Sequence, residues 1–154
     1  MVIVPEFKRP RGHMQDCIFC KIVKHEVPAT IVYEDADVVA FLDIMPARKG
    51  HLLIAPKTHS KDMLSVSPEA LAKVMRVVQR CGRGVQKGLS ADGFNVLQFN
   101  GRASGQIVDH LHFHVIPRAH NDGLRIDWEH EIYGPGEIKR FAEKIITACA
   151  DEKT

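Results

Sequence analysis

The segment His110-Leu111-His112-Phe113-His114-Val115-Ile116 carries three histidines at a spacing of two. Alternate side chains of an extended strand share one face and lie about 6.6–7 Å apart. The three imidazoles are therefore expected on one side of a strand, with Leu111, Phe113 and Val115 packed into a core on the other. A merely solvated strand face would ordinarily carry Thr, Lys or Glu, so a row of imidazoles points to chemistry. A neutral imidazole attacks phosphorus through one ring nitrogen while the other is held by a hydrogen bond, or it binds a divalent metal. Both chemistries stay open on the row alone.

Upstream lies Asn100-Gly101-Arg102-Ala103-Ser104-Gly105-Gln106, in a connection longer than the ~2–5 residues of an ordinary hairpin loop. Gly101 and Gly105 permit backbone conformations in which successive N–H groups converge on an anion, and Arg102, Ser104 and Gln106 add donors. Phosphate is the expected guest. The chain contains no GxxxxGK[ST] loop, and Ser104 does not stand in a GxSxG elbow, so kinase and serine-hydrolase readings lose support. Cys17-x-x-Cys20 is read as either a zinc half-site or a redox pair, although no strand is predicted before it. Cys81 and Cys149 fall on apolar helix faces and are expected to be buried and inert.

These groups must be positioned by regular elements. Ile31–Tyr33, Val38–Asp43 and His51–Ala55 read as strands joined by turns at 34–37 and 46–50. Ser67-Pro68-Glu69 supplies an N-cap, a proline at the first helical position and an early acid. Leu71, Val74, Val78 and Cys81 then recur at helical spacing. A helix is expected from 68 to 81 or beyond, fraying through Gly82, Gly84 and Gly88. Phe94–Phe99 and His110–Ile116 are two further predicted strands. Ile138, Phe141, Ala142, Ile145 and Cys149 mark a closing amphipathic helix. The order βββ–α–ββ–α predicts an α+β domain with an antiparallel sheet.

With 154 residues, 45% hydrophobic and 26% charged, the chain is expected to form one globular domain over 15–154, with residues 1–14 a disordered tail or junction. Lys8, Arg9 and Arg11 against Glu6 account for the whole net charge of +2. The neutral remainder gives no strong nucleic-acid signal. No apolar run approaches the about 18–20 residues of a membrane span, and no export signal follows the basic start. A cytoplasmic protein with reduced thiols is expected.

The sequence resembles the histidine-triad (HIT) family, whose signature H-φ-H-φ-H-φ-φ, with φ apolar, is met at every position of His110–Ile116. The likeness continues through Cys17-Ile18-Phe19-Cys20-Lys21-Ile22, Phe41-Leu42-Asp43-Ile44, Lys49-Gly50-His51, Pro56-Lys57-Thr58-His59 and Gly105-Gln106. It is most similar to zinc-containing bacterial members with a C-terminal extension. The resemblance implies a five-stranded antiparallel sheet with a long central helix and a C-terminal helix, usually paired as a homodimer.

The resemblance also implies roles. His112 would attack the α-phosphate of a nucleotide, and His114 would contact phosphate and assist the leaving group. Gly105 and Gln106 would stabilise phosphoryl charge, and Asp43 would accept from ribose hydroxyls. Phe19, Ile22, Phe41, Ile44 and Leu53 would line the base pocket. Cys17, Cys20, His59 and His110 would hold a structural Zn²⁺ in a closed tetrahedron. His51 is expected to be buried near the triad, and His13, His25, His120 and His130 to lie at the surface. Three positions depart from the family pattern. Phe99 stands where relatives carry an amide, for which Asn100 would substitute if the loop shifts, Ile107 stands where they carry Ser or Thr, and Asp109 is expected to point away from the histidine face. The function implied is release of AMP or GMP from phosphoramidates, mixed anhydrides or dinucleoside polyphosphates. The alternatives are a slow-turnover nucleotide-binding interaction module, favoured by Phe99 and Ile107, a nucleotidyl transferase with the same intermediate, and a metallohydrolase using two triad histidines. Trp128 is expected to cover the core, and Tyr133 either to do so or to border the substrate mouth.

Overall fold

The computed structural model describes residues 17–126 and 130–151. The expectations for residues 1–14, including His13, and for Trp128 lie outside the described residues. The chain divides into two compact units, one through Asp122 and one from Gly123 onwards.

The first unit is built on a five-stranded antiparallel sheet. Its elements are α1 (Ile18–Val23), β1 (Ile31–Glu34), β2 (Val38–Leu42), β3 (Leu52–Pro56), α2 (Pro68–Leu89), β4 (Gly93–Gln98), a 3₁₀ turn (Arg102–Ser104) and β5 (Phe113–Arg118). The strand order is β1-β2-β3-β5-β4, so the last strand inserts between the meander and β4. Strand alternation divides the interior into two cores. Val38, Ala40, Leu52, Ile54, Leu111, Phe113 and Val115 pack with Val74, Val77, Val78, Cys81 and Val85 of α2. On the opposite face, Val39, Phe41, Leu53 and Ala55 pack with Phe19 and Ile22 of α1. The histidine row lies on this second face, as the register Leu53↔His114 requires.

Two expected boundaries move, each for a physical reason. Strand β5 begins at Phe113 rather than His110. The antiparallel ladder cannot continue past Ile54↔Phe113, because Pro56 has no N–H to donate. Its carbonyl instead accepts from His110 Nε2 at 2.8 Å, and the Leu111 amide donates to the Ser60 carbonyl at 2.6 Å. The alternation nonetheless persists through this lead-in, with Leu111 wholly buried on the α2 side.

Helix α2 does not fray at its glycines. Ser67 caps it, accepting from the Ala70 amide at 3.2 Å, and it runs unbroken to Leu89, where Ser90 takes a left-handed conformation. Gly82 is required by tertiary packing: a Cβ built there would lie 2.5 Å from the tip of the Phe94 ring. Gly84 and Gly88 face open space, so their cost to the helix, about 1 kcal/mol each relative to Ala, is offset by the buried apolar stripe.

The second unit contains α3 (Glu137–Asp151). The Gly134 amide donates to the Glu137 carboxylate at 2.8 Å, and the Glu137 amide returns to the Gly134 carbonyl at 3.0 Å, which starts the helix. Tyr133 packs edge-on against Phe141, with ring centroids 5.9 Å apart. The predicted stripe is present as Ile138, Phe141 and Ile145, but it is exposed. Cys149 is exposed as well, which corrects the expectation of a buried thiol, whereas Cys81 is buried in the α2 core as expected.

The two kinds of glycine in α2 separate in a stability measurement. Gly84→Ala is expected to raise the thermal midpoint, by a stabilisation of up to about 1 kcal/mol. Gly82→Ala is expected to lower it, by about 1–2 kcal/mol, because overpacking against Phe94 outweighs the same propensity gain. Calorimetry of both variants showing equal shifts would contradict the packing account.

Candidate active site and metal centre

The three histidines are distinguished by what each ring nitrogen faces. His110 is completely buried. Its Nε2 must donate to the Pro56 carbonyl at 2.8 Å, which leaves the Nδ1 lone pair facing Cys17 Sγ at 3.4 Å and Cys20 Sγ at 3.6 Å. Cys20 Sγ also lies 3.3 Å from His59 Nδ1. The four ligand atoms of Cys17, Cys20, His59 and His110 all fall within 4.8 Å of one another. Tetrahedral zinc with Zn–S about 2.3 Å and Zn–N about 2.0–2.1 Å requires S···N edges of about 3.5 Å, and the three observed separations fit. Cys17 sits at the N-cap of α1 and Cys20 in its first turn, so one short helix delivers both sulfurs. Burial, then the neighbouring Cys17 thiol, pushes the Cys20 thiol up to about 11. A bound cation would offset this shift and favour the thiolates, and the two histidine nitrogens beside the sulfurs suit a metal cluster.

His112 is buried against Phe19, whose ring meets it edge-on at 5.0 Å. Its Nδ1 lies 2.6 Å from the His110 carbonyl, which can only accept, so Nδ1 carries the proton and Nε2 presents a lone pair. Burial pushes the His112 pKa down, opposed by that hydrogen bond and by Asp43. The ring is therefore neutral near pH 7, with its free nitrogen available as a nucleophile.

His114 takes its tautomer from His51. The Ala47 amide donates to His51 Nδ1 at 3.2 Å, whereas Asp43 Oδ2 lies 3.6 Å from the same nitrogen, too far for a hydrogen bond. His51 Nδ1 is thus an acceptor and Nε2 carries the proton, which it donates to His114 Nδ1 at 2.9 Å. His114 in turn holds its own proton on Nε2. Burial, reinforced by His112 and His51, depresses the His114 pKa to about 4. Burial also lowers that of His51. Asp43, His51 and His114 form a chain leading inward from a partly exposed carboxylate.

The remaining expected site residues divide. Phe19, Ile22, Phe41 and Leu53 meet in the buried cluster beside His112, as expected of one apolar wall. Ile44 does not join them: it is 91% exposed, because the chain turns outward after Asp43, whose Oδ1 accepts from the Met45 amide. Asn100 is committed elsewhere, accepting from the Met63 amide at 2.9 Å and donating to Gln98 at 2.6 Å. Gln106 is buried, but its carboxamide accepts from the Gly101 amide and donates to the Lys61 and Val108 carbonyls.

Gly101 and Gly105 adopt positive φ, as a tight loop requires. The amides of Ser104, Gly105 and Gln106 bond to carbonyls within the loop. Phe99 packs against His114 at 5.5 Å, Ile107 is 76% exposed, and Asp109 pairs with Arg102 at 3.1 Å rather than with any histidine. His25, His120 and His130 are exposed, and His51 is buried beside the triad, as expected.

A model of the HIT domain matches residues 24–121. The chain is 43% identical over 130 residues to the adenosine 5'-monophosphoramidase hnt1 of Schizosaccharomyces pombe, covering 84% of this chain and 95% of that relative. Among solved structures, a Streptococcus mutans protein superposes with a TM-score of 0.84 at 38% identity, covering 90% of this chain and 88% of that one. A Zn-bound histidine triad family protein from Mycobacterium smegmatis gives 0.71 at 36% identity, over 89% and 99%. The chain belongs to the HIT, or histidine-triad, family.

The depressed His114 pKa fixes a sign for pH-dependent stability. An unfolded histidine titrates near 6.5, so between about 6.5 and 4 the unfolded state binds the proton that the folded site refuses, and stability falls as pH falls. Denaturant midpoints are expected to be flat above pH 7 and to decline below 6.5. The decline should shrink in His114→Asn, and an unchanged slope in that variant would sink the assignment.

Proposed function

We propose that the protein is a hydrolase that releases AMP or GMP from nucleoside phosphoramidates, mixed anhydrides or dinucleoside polyphosphates through a nucleotidyl intermediate on His112. The observation that carries this reading is the 2.6 Å contact from His112 Nδ1 to the His110 carbonyl, which leaves Nε2 unprotonated inside a buried, neutral row. In the first step Nε2 bonds to the α-phosphorus and the bond from phosphorus to the leaving atom breaks, its electron pair going to that atom. His114 Nε2–H delivers a proton to the leaving group as His114 Nδ1 takes one from His51 Nε2. His51 Nδ1 is reprotonated from solvent on the Asp43 side. Both rings then carry inverted tautomers, so His114 Nε2 can accept the proton of the water that attacks phosphorus and releases His112. Phe19, Ile22, Phe41 and Leu53 bound the slot for the base, and Asp43 is the ribose acceptor. Gly105 and Gln106 act by shaping the loop.

Cys17, Cys20, His59 and His110 hold a structural Zn²⁺. With four protein ligands such an ion would have no open position and would tie α1 to the start of the histidine row. A homodimer is the assembly proposed; β4 lies at the sheet edge, open to a further strand. Residues 123–154 are taken as an extension of the one domain spanning 15–154. No described helix is long and apolar enough to cross a membrane, and none of the four cysteines is in a disulfide. Both features suit a cytoplasmic protein.

AMP release from adenosine 5′-phosphoramidate is expected from the native protein and to fall at least about 10³-fold in His112→Ala. Turnover surviving in that variant would overturn the covalent route. One zinc per chain is expected by elemental analysis, and its removal should lower the thermal midpoint before turnover is lost at low temperature. Immediate loss of turnover in a still-folded chain would instead indicate a catalytic metal.

A further inference from the structure

Helix α2 carries one acid, Glu69 in its first turn, against five bases, Lys73, Arg76, Arg80, Arg83 and Lys87. A solvated helix face ordinarily interleaves both signs, because like charges three or four residues apart repel. Arg76, Arg80, Arg83 and Lys87 instead follow one another at steps of four, three and four. At 3.6 residues per turn and 1.5 Å per residue this confines them to an arc of about 60° and a length of about 16 Å. All four are exposed, on the side of α2 away from the Val74, Val78 and Cys81 stripe that packs into the core. The helix dipole does not account for the row, because it favours cations in the last turn, where Lys87 lies, and not at Arg76 or Arg80. Neighbouring acids do not account for it either. Asp37 pairs with Lys73 and Glu34 with Lys57, each at 2.8 Å, while Asp35 accepts from the Tyr33 hydroxyl and from the amides of Asp37 and Val38. Arg80 lies over the Tyr33 ring, 4.8 Å from its centroid. Among the described residues, no carboxylate forms an ion pair with Arg76, Arg80, Arg83 or Lys87.

We propose that this face of α2 is a docking surface for the sugar-phosphate backbone of a double-stranded nucleic acid, held without reading its sequence. Three of the four cations are Arg, whose planar fork matches phosphate oxygens in pairs. The exposed flanking positions Ala72, Gln79, Gly84 and Gly88 offer no aromatic or large apolar group. They therefore lack the anchor of a protein interface core, the wedge of a lipid-inserting helix and the ring on which an unpaired base would stack. A phosphate backbone needs none of these. Gly84 and Gly88 also leave bare helix beside the row, since a Cβ at either would meet nothing within 4 Å, so a polymer backbone can come close to the cations. A strand of a duplex presents about five phosphates over a length of about 16 Å. A net charge of +2 conceals this row, because composition averages over placement. Through Tyr33 and Asp37 the row lies on the β1 side of the sheet, the edge opposite β4, so pairing of two chains through β4 leaves it open. The proposal stands independently of the hydrolase reading.

The test measures binding of a fluorescein-labelled DNA duplex of about 20 base pairs to the full chain by anisotropy, from about 50 to about 300 mM NaCl. With four cations available to phosphates, the slope of log K against log salt is expected between about −2 and about −4, the same for two duplexes of unrelated sequence. The double variant Arg76→Gln/Arg83→Gln is expected to lose at least about tenfold in affinity at about 50 mM salt and to flatten the slope by nearly 2. Its thermal midpoint should be unchanged or raised, because repulsion along the row is relieved. Arg83→Gln alone should flatten the slope by about 1, which keeps the test decisive if the double variant folds poorly. Lys139→Gln/Lys144→Gln, which removes the same charge from α3, should bind as the native chain does. Absent or salt-independent binding by the native chain would overturn the proposal. So would equal losses in the two double variants, which would mark net charge rather than placement, and so would undiminished binding by Arg76→Gln/Arg83→Gln, which would move the contact to Lys8, Arg9 and Arg11. Tighter binding to anionic phospholipid vesicles or to poly-glutamate than to the duplex at equal salt would overturn it as well.

Discussion

A buried imidazole must satisfy two nitrogens, and His110 meets that requirement in a way that fixes most of what surrounds it. One nitrogen donates to the Pro56 carbonyl, which ends the β3–β5 ladder. The other faces Cys17 and Cys20, which draws α1 onto the sheet. Its own carbonyl accepts from His112 Nδ1, which sets the tautomer of the next histidine. Removing this ring would leave the Pro56 carbonyl without its donor, at a cost of about 1–3 kcal/mol for a buried polar group, and would take the imidazole from Cys17 while Cys20 kept His59.

The consequence is a division of labour between adjacent positions of one short segment. His110 points into the cysteine cluster, His112 toward the apolar wall of Phe19, and His114 toward His51. Strand spacing keeps their Cα atoms apart while the rings of His112 and His114 approach to 5.0 Å between centroids. Burial keeps both rings neutral. Two protonated neighbours at this distance would repel, so a neutral row is also the condition for packing imidazoles together.

The parts of this arrangement that obey a local period were legible in the sequence. The alternation of Leu111, Phe113 and Val115 against the histidines, the Ser67-Pro68 helix start and the stripe of α2 all follow from spacing alone. What escaped depends on partners distant in sequence. Gly82 reads as a point of fraying until Phe94 is placed against it. The cysteines and histidines that meet are 93 and 39 residues apart, so their meeting followed from family resemblance rather than from local spacing. The relay through His51 depends on the Ala47 amide, a backbone donor that no residue type announces. Ile44 was placed in the base pocket by resemblance alone; its side chain is exposed, beyond the turn in which the Asp43 carboxylate accepts from the Met45 amide. Cys149 lies on a helix whose apolar stripe is real but uncovered, which periodicity cannot distinguish from a buried one.

The loop before the triad gives the most instructive departure. Its glycines and polar residues suggested a cradle of amides for phosphate, yet those of Ser104, Gly105 and Gln106 close the loop on itself, with Gln106 as an internal strut. Those three amides are therefore satisfied within the loop. In the proposed reaction, attack by His112 Nε2 would convert a neutral ring into a cation bonded to phosphorus, with its Nδ1 proton already held by the His110 carbonyl, so positive charge would arise beside the phosphoryl oxygens. The same ring would be a poor phosphate receptor if it were protonated beforehand, because its lone pair would be lost. The depressed histidine pKa values fit that proposal, because neutral rings keep the lone pair for the attack and the reaction itself would generate the charge.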